Sequence, residues 1–228
     1  MADKIKLTFL GTSSAVPTKS RNHPSILLQY KEQNILFDCG EGTQRQFRKA
    51  KLNPCKLTKI FISHWHADHI LGLPGLLQTL ALNGYNNTLE IYGPTGTKQK
   101  IKNLLDFFQS SYLQTSLNEN FKLNVTEVNE KIILDTKEFR IESIQTQHNT
   151  NSLAYSFILK QRTRIDKEKL KKLNLGNSPL IGELAKGKII EYKNKKIDGS
   201  KLIYKEPSKK ITYISDTKFF KELIKFSL

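Results

Sequence analysis

The sequence predicts a layered α/β domain, with helices outside a β core. Three observations predict it. Short apolar strands alternate with helix-periodic segments through the first half. The middle is rich in strands. The chain has 228 residues, enough to bury a core of that kind in one large domain.

The elements follow in order. Ile5 to Leu10 is a strand closed by Gly11. Ile26 to Tyr30 and Asn34 to Asp38 form a hairpin around Lys31-Glu32-Gln33. Gly40 and Gly42 punctuate, and Thr43 caps a basic helix running to Ala50. Thr58 to Ile62 is a strand that ends where a group of histidines begins. Gly72 to Asn83 is a helix with Pro74 near its start. Leu89 to Tyr92 is a strand, and Gly96 to Gln109 carries Ile101, Leu104, Leu105 and Phe108 at helical spacing. Strands follow at Phe121 to Val128, Ile132 to Leu134, Phe139 to Ile144 and Leu153 to Leu159. Periodicity then degrades. Arg162 to Lys188 holds two short helices (Asp166 to Leu173, Leu180 to Lys186), many lysines and few large apolar residues. It reads as an inserted, protruding arm on a single 1–228 domain. Lys210 to Ile214 is a strand, and a last helix starts near Lys218.

Composition narrows the class. The 37 Lys and Arg exceed the 21 Asp and Glu, for a net charge of +16. From Lys160 to Lys210, 16 basic residues face 6 acidic ones, so +10 of that charge sits in one stretch. A solvated surface explains any single lysine, but the concentration points to a polyanionic partner, most simply nucleic acid. Two cysteines, Cys39 and Cys55, cannot build a disulfide framework. The start, Met1-Ala2-Asp3-Lys4-Ile5-Lys6, lacks the apolar stretch of a signal peptide, and no apolar run reaches the roughly 20 residues of a membrane span. A reducing, cytoplasmic setting without membrane contact is expected.

Chemistry concentrates in Ser63-His64-Trp65-His66-Ala67-Asp68-His69, between a strand and a helix. Side chains two apart in extended backbone point the same way, so His64 and His66 can share one metal. After the chain turns, Asp68 and His69 can face a second. Imidazole nitrogen and carboxylate oxygen are donors that Zn²⁺ favours. Further donors are needed. His148, just after a strand, would alone be an ordinary loop histidine; beside a site short of ligands it becomes the third imidazole. Asp216, also at a strand end, can bridge two metals or cap the last helix. His23 is incidental or touches substrate. Two metals roughly 3.5–4 Å apart activate a water for hydrolysis, and Asp68 can take a proton from it. These residues leave phosphodiester, thioester, lactam and sulfate ester open as substrates. Trp65 and Ala67 fill variable positions of the motif and need only fit.

H-x-H-x-D-H after a strand resembles the metallo-β-lactamase fold, a four-layer αββα sandwich. Gly11-Thr12-Ser13-Ser14-Ala15-Val16-Pro17, Phe37-Asp38-Cys39-Gly40-Glu41-Gly42-Thr43-Gln44-Arg45-Gln46, and Ile62 to Thr79 resemble the ribonuclease Z family of tRNA 3′ endonucleases. That resemblance implies a zinc-dependent endoribonuclease that removes the 3′ trailer from precursor tRNA and leaves a 3′-hydroxyl. It implies two Zn²⁺ per subunit. His64, His66 and His148 bind one, Asp68 and His69 the other, and Asp216 bridges; Asp68 is also the catalytic proton acceptor. The loop Pro17-Thr18-Lys19-Ser20-Arg21-Asn22 is similar to one near the cleavage site, which makes Lys19, Arg21 and Asn22 RNA-binding candidates. Lys169 to Gly176 and Gly182 to Gly187 resemble the family's flexible arm, so Lys169, Lys171 and Lys172 would read RNA shape. A homodimer is implied, with the arm of one subunit gripping tRNA processed by the other.

Two departures stand out. Asn177-Ser178-Pro179 replaces a usual Gly-Pro pair in the arm. Family members continue for several tens of residues, through an H-E-A-T-like motif and a final histidine for the second zinc. No histidine follows His148 here. The last part of the second half is therefore expected to be missing. The expectation is a truncated sequence, a split enzyme completed by a separate polypeptide, or a shortened variant. The rival functions are another hydrolase of this fold, such as a phosphodiesterase or arylsulfatase, and a non-catalytic remnant that binds RNA or metal.

Overall fold

A computed structural model describes residues 4–107, 121–173, 175, 178–192 and 194–228. The chain divides into two compact units: 1–133, 142–156 and 212–228 form the first, and 134–141 with 157–211 the second.

The first unit is built on a six-stranded sheet ordered β1 to β6. β1 (Lys6–Gly11), β2 (Ser25–Tyr30) and β3 (Gln33–Phe37) are antiparallel neighbours. The β2–β3 turn is tighter than expected. Tyr30 pairs with Gln33, and Lys31 takes a left-handed φ of 51° to close a two-residue turn. β4 (Lys59–Phe61), β5 (Thr88–Gly93) and β6 (Lys122–Glu127) continue the sheet in parallel from β3. Parallel strands need crossovers. These contain α1 (Thr43–Lys49), α2 (Ala67–Ile70), α3 (Leu73–Leu82) and α4 (Thr97–Phe107). The expected helix to Gln109 is described only to Phe107, and Phe108 and Gln109 lie outside the described residues. Thr43 does not cap α1. Gly42 takes the cap position at φ 73°, which a side chain would resist, and the Thr43 hydroxyl donates to the Gly40 carbonyl at 2.7 Å.

Strand alternation sorts the sheet's two faces. Leu36, Ile60 and Ile91 meet Phe47 of α1, Leu76, Leu77 and Leu80 of α3, and Ile101 of α4. The opposite face is aromatic. Phe37 stacks on Tyr213 at 5.3 Å between centroids, and Phe61 meets Tyr155 edge-on at 5.0 Å. Tyr155 and Tyr213 come from a four-stranded sheet ordered β14–β9–β8–β7. Its strands are β7 (Ile132–Asp135), β8 (Phe139–Gln145), β9 (Leu153–Leu159) and β14 (Lys209–Tyr213). A last helix, α7 (Lys221–Ser227), buries Leu223 and Phe226 with Ala154 and Ile144. Within the first unit, helices therefore cover one face of the six-stranded sheet, and Tyr155 and Tyr213 pack on the other. α7 starts three residues later than the sequence indicates, with Phe220 at its cap. Asp216 is thus not a helix cap.

The second unit corrects one expectation. Arg162 to Lys188, with few large apolar residues, is expected to be a protruding arm rather than a core layer. Instead Leu175, Leu184 and Leu202 are buried together, ringed by Ile165, Leu170, Leu173, Ile190, Tyr192 and Ile197. Two hairpin-like pairs frame them: β10 (Arg162–Ile165) with β13 (Ile203–Glu206), and β11 (Ile189–Tyr192) with β12 (Lys195–Asp198). The helices are α5 (Lys167–Lys172), capped by the Asp166 carboxylate, and α6 (Leu180–Ala185). These strands are only four residues each and mix charged with apolar residues, which is why they carry little apolar alternation to read. Asn174, Gly176 and Asn177 of the expected arm motifs lie outside the described residues.

Candidate metal centre

β4 ends at Phe61, the chain bends at Ser63, and His66 is extended (φ −77°, ψ 151°) where α2 begins. This lets His64 and His66 project to one side. His64 Nε2 lies 3.0 Å from His66 Nδ1. His148 arrives from the loop between β8 and β9. That loop is closed by Thr146 N–H donating to the Ser152 carbonyl at 2.9 Å. Leu153 N–H donates to the Ser63 carbonyl at 2.9 Å, which ties β9 to the histidine segment. His148 Nε2 then stands 3.2 Å from His66 Nδ1.

Asp216 follows β14. Its segment is fastened to the His148 loop, because Lys218 N–H donates to the Gln147 carbonyl at 2.8 Å and Gln147 N–H to the Thr217 hydroxyl at 3.1 Å. One donor atom from each of His64, His66, His148 and Asp216 lies within 4.8 Å of the others, and this cluster could hold a metal ion. Asp216 Oδ2 also looks both ways, 4.0 Å from His64 Nε2 and 3.9 Å from His69 Nε2. Asp68 Oδ2 is 3.4 Å from the same His69 nitrogen.

A buried carboxylate behind the cluster went unassigned in the sequence. Asp38 is fully buried and holds φ 54° just after β3. It accepts hydrogen bonds from Ser63 N–H at 2.6 Å, the Ser63 hydroxyl at 2.7 Å, His69 Nδ1–H at 2.7 Å and the Tyr213 hydroxyl at 2.6 Å. This fixes tautomers. His69 spends its Nδ1 proton on Asp38, leaving the Nε2 lone pair toward Asp68 and Asp216. Ser63 spends its proton on Asp38, so its oxygen accepts from His64 Nδ1–H at 3.0 Å and leaves His64 Nε2 free as a donor atom. The clue was faint: Asp38 lies 25 residues before Ser63 in the sequence. Only the parallel pairing of Phe37 with Phe61 brings it to Ser63. Tyr213, read only as a strand residue, was missed for the same reason.

The field at His64 agrees with this reading. Burial, with the neighbouring His69 adding to it, pushes the His64 pKa down to about 4, so the ring is neutral near pH 7. Burial also pulls His69 down, but the hydrogen bond and charge of Asp38, with Asp68 and Asp216, leave it above the usual histidine range. Ring nitrogens of His64 and His69 that both face the Asp216 carboxylate make an arrangement that a cation satisfies. The donor chemistry, three converging imidazoles with flanking carboxylates, fits Zn²⁺.

The remaining expected residues fall elsewhere. Lys19 and Arg21 are exposed in a turn that Thr18 closes with hydrogen bonds to Arg21 in both directions. The Asn22 amide donates to the Glu41 carbonyl, which gives it a bracing partner within the protein. His23 is buried against the Ala15 carbonyl at 3.3 Å, so it braces that loop from within. Lys169, Lys171 and Lys172 are exposed on α5, in the second unit. Beside the cluster, a cleft of about 370 Å³ is lined by Ser13, Ser14, His69, Tyr213 and Asp216.

Comparison with known proteins decides the family. Ribonuclease Z of Nanoarchaeum equitans is 41% identical over 96% of this chain, which spans 66% of that protein. Ribonuclease Z of Methanothermobacter thermautotrophicus is 38% identical over 98% of this chain and 71% of its own length. The chain belongs to the ribonuclease Z family. It spans about two thirds of the length of these curated relatives. A family model described as Anti-Pycsar protein Apyc1 also matches residues 5–174. Among solved structures, human tRNase Z, short form, aligns with a TM-score of 0.58 at 30% identity, covering 67% of this chain and 64% of that one. The Bacillus subtilis metallo-β-lactamase fold protein YhfI, at 21% identity, aligns with a TM-score of 0.54 over 68% of this chain and 58% of its own. These neighbours bear out the expected metallo-β-lactamase fold. In this ribonuclease Z family member no helix among the described residues is long and apolar enough to cross a membrane.

Proposed function

We propose that this protein is a zinc-dependent endoribonuclease that removes the 3′ trailer from precursor tRNA. The observation that carries the reading is the convergence of His64, His66, His148 and Asp216, in a chain 38–41% identical to proteins named ribonuclease Z. Two Zn²⁺ would be held, one by His64, His66 and His148, the other by Asp68 and His69, with Asp216 between them. When bound, the metal supplies a polarised water and neutralises charge on the phosphate.

The chain's own residues do the rest. Asp38 holds His69 directly and His64 through Ser63, so both rings keep their donor nitrogens aimed inward. Asp68 takes a proton from the attacking water as its oxygen bonds to phosphorus, the bond from phosphorus to the 3′-oxygen breaks, and that oxygen takes up the proton carried by Asp68 or one from solvent to leave as the 3′-hydroxyl, with the phosphate on the trailer. Lys19 and Arg21 hold acceptor-stem phosphates, and Asn22 keeps their loop in place. Lys169, Lys171 and Lys172 bind the tRNA backbone by charge. A cytoplasmic homodimer, and a separate polypeptide that completes the second zinc site, belong to the same proposal.

The test is purified protein with Zn²⁺ or Mn²⁺ and a trailer-bearing precursor tRNA. Cutting at the discriminator, lost in Asp68→Ala, is expected. Intact tRNA that still binds supports a non-catalytic role instead, and cleavage that survives Asp68→Ala overturns the assigned chemistry.

A further inference from the structure

Trp65 sits between two candidate ligands, and its partners are specific. His64 and His66 turn toward each other, while Trp65 turns toward the main core. There its ring packs at the margin of the main core. Its indole N–H meets the Thr97 hydroxyl oxygen at 2.9 Å. Thr97 is fully buried in the first turn of α4, and its own proton goes to the Pro94 carbonyl at 2.6 Å. Its oxygen is therefore left as the acceptor. Gly93 makes the room, since a Cβ there would lie 2.5 Å from the Thr97 hydroxyl oxygen. Lys100, one turn further along α4, places its ammonium 5.3 Å from the centroid of the indole ring.

A half-buried tryptophan needs no such arrangement merely to fill space. The indole is held at its edge by a hydroxyl whose direction is fixed, and on its face by a cation. Both come from one rigid helix. We infer that Trp65 is a positioning residue for the metal centre: its bond to Thr97 locks the backbone between His64 and His66, so that both imidazoles meet at one point. The inference rests on reading the His64, His66, His148 and Asp216 cluster as a metal centre. It extends to ligand orientation a role usually played by groups that touch the ligands themselves.

The test measures Zn²⁺ affinity by competition with a chelator, with thermal unfolding of the metal-free protein alongside. Trp65→Phe keeps an aromatic side chain and removes the N–H. Thr97→Val removes the acceptor, and Thr97→Ser keeps it. Weakening of about tenfold is expected in Trp65→Phe and in Thr97→Val, no further loss in the double variant, and wild-type affinity in Thr97→Ser. Trp65 is the chain's single tryptophan, so its emission should change on Zn²⁺ addition to the wild type. Wild-type affinity in either Trp65→Phe or Thr97→Val, or losses that multiply in the double variant, overturns the positioning role. Failure of the wild-type protein to take up Zn²⁺, or full retention of Zn²⁺ by His64→Ala, overturns the metal reading itself.

Discussion

The centre of the first unit and the whole of the second are held together by different means. Around Asp38 four hydrogen bonds converge on one fully buried carboxylate, and the candidate ligands His64 and His69 are themselves buried. In the second unit a small apolar cluster is accompanied by ion pairs that are half-buried at Glu206 and exposed at Glu183. Glu206 faces Arg162 at 2.7 Å, Arg164 at 3.1 Å and Lys209 at 3.3 Å. Glu183 faces Lys188 at 2.5 Å and Lys186 at 3.0 Å. A buried carboxylate network fixes geometry, because any unmade bond there is costly. Exposed pairs contribute little stability each, but leave a surface dense in positive charge. The first suits chemistry that needs ångström placement, the second binding that needs charge.

That contrast can be broken at its strong end first. Asp38→Ala should cost about 3–5 kcal/mol of stability, because it strands several buried donors. Chemical denaturation checks the cost, and Zn²⁺ affinity should fall with it. Leu184→Ala should cost about 2–3 kcal/mol and act locally, since Leu184 is fully buried in the second unit's cluster. Hydrogen exchange should speed up across 162–206 while the amides around Ser63 keep their protection.

The next effect is in pH. The Arg162 guanidinium, then Arg164, hold the Glu206 carboxyl down to about 2. A folded-state pKa below the unfolded one means stabilisation that is complete above the ordinary value near 4.5 and is lost as pH falls toward 2. Glu206→Gln should flatten the acid dependence of the second unit's unfolding in that window. The smallest stability effect belongs to Lys169, Lys171 and Lys172. Replacing all three with alanine should leave stability within about 0.5 kcal/mol. A grip on about four phosphates gives a log–log salt slope of about −3, and the triple variant should lose most of it in a tRNA-binding titration.

The sequence made the first unit legible because its strands are apolar and its helices periodic. Ile60, Ile62, Leu76, Leu77 and Leu80 announce a buried strand and helix without help. The His64 to His69 run was legible because its donors are neighbours in sequence. Asp38 and Tyr213 were not, because their role exists only once β3, β4 and β14 lie together. Nor was the Trp65 to Thr97 bond, which spans 32 residues. The second unit's core was hidden differently. Leu175, Leu184 and Leu202 are scattered among lysines with no common period, so charge masked the packing.

The centre of the account is that His64, His66, His148 and Asp216 hold a metal ion. Elemental analysis of the protein purified with Zn²⁺, set beside His66→Ala prepared in the same way, tests this most directly. The account predicts at least one tightly held zinc per wild-type chain and its loss in the variant. A wild-type chain without bound metal, or a variant that keeps as much, would contradict it.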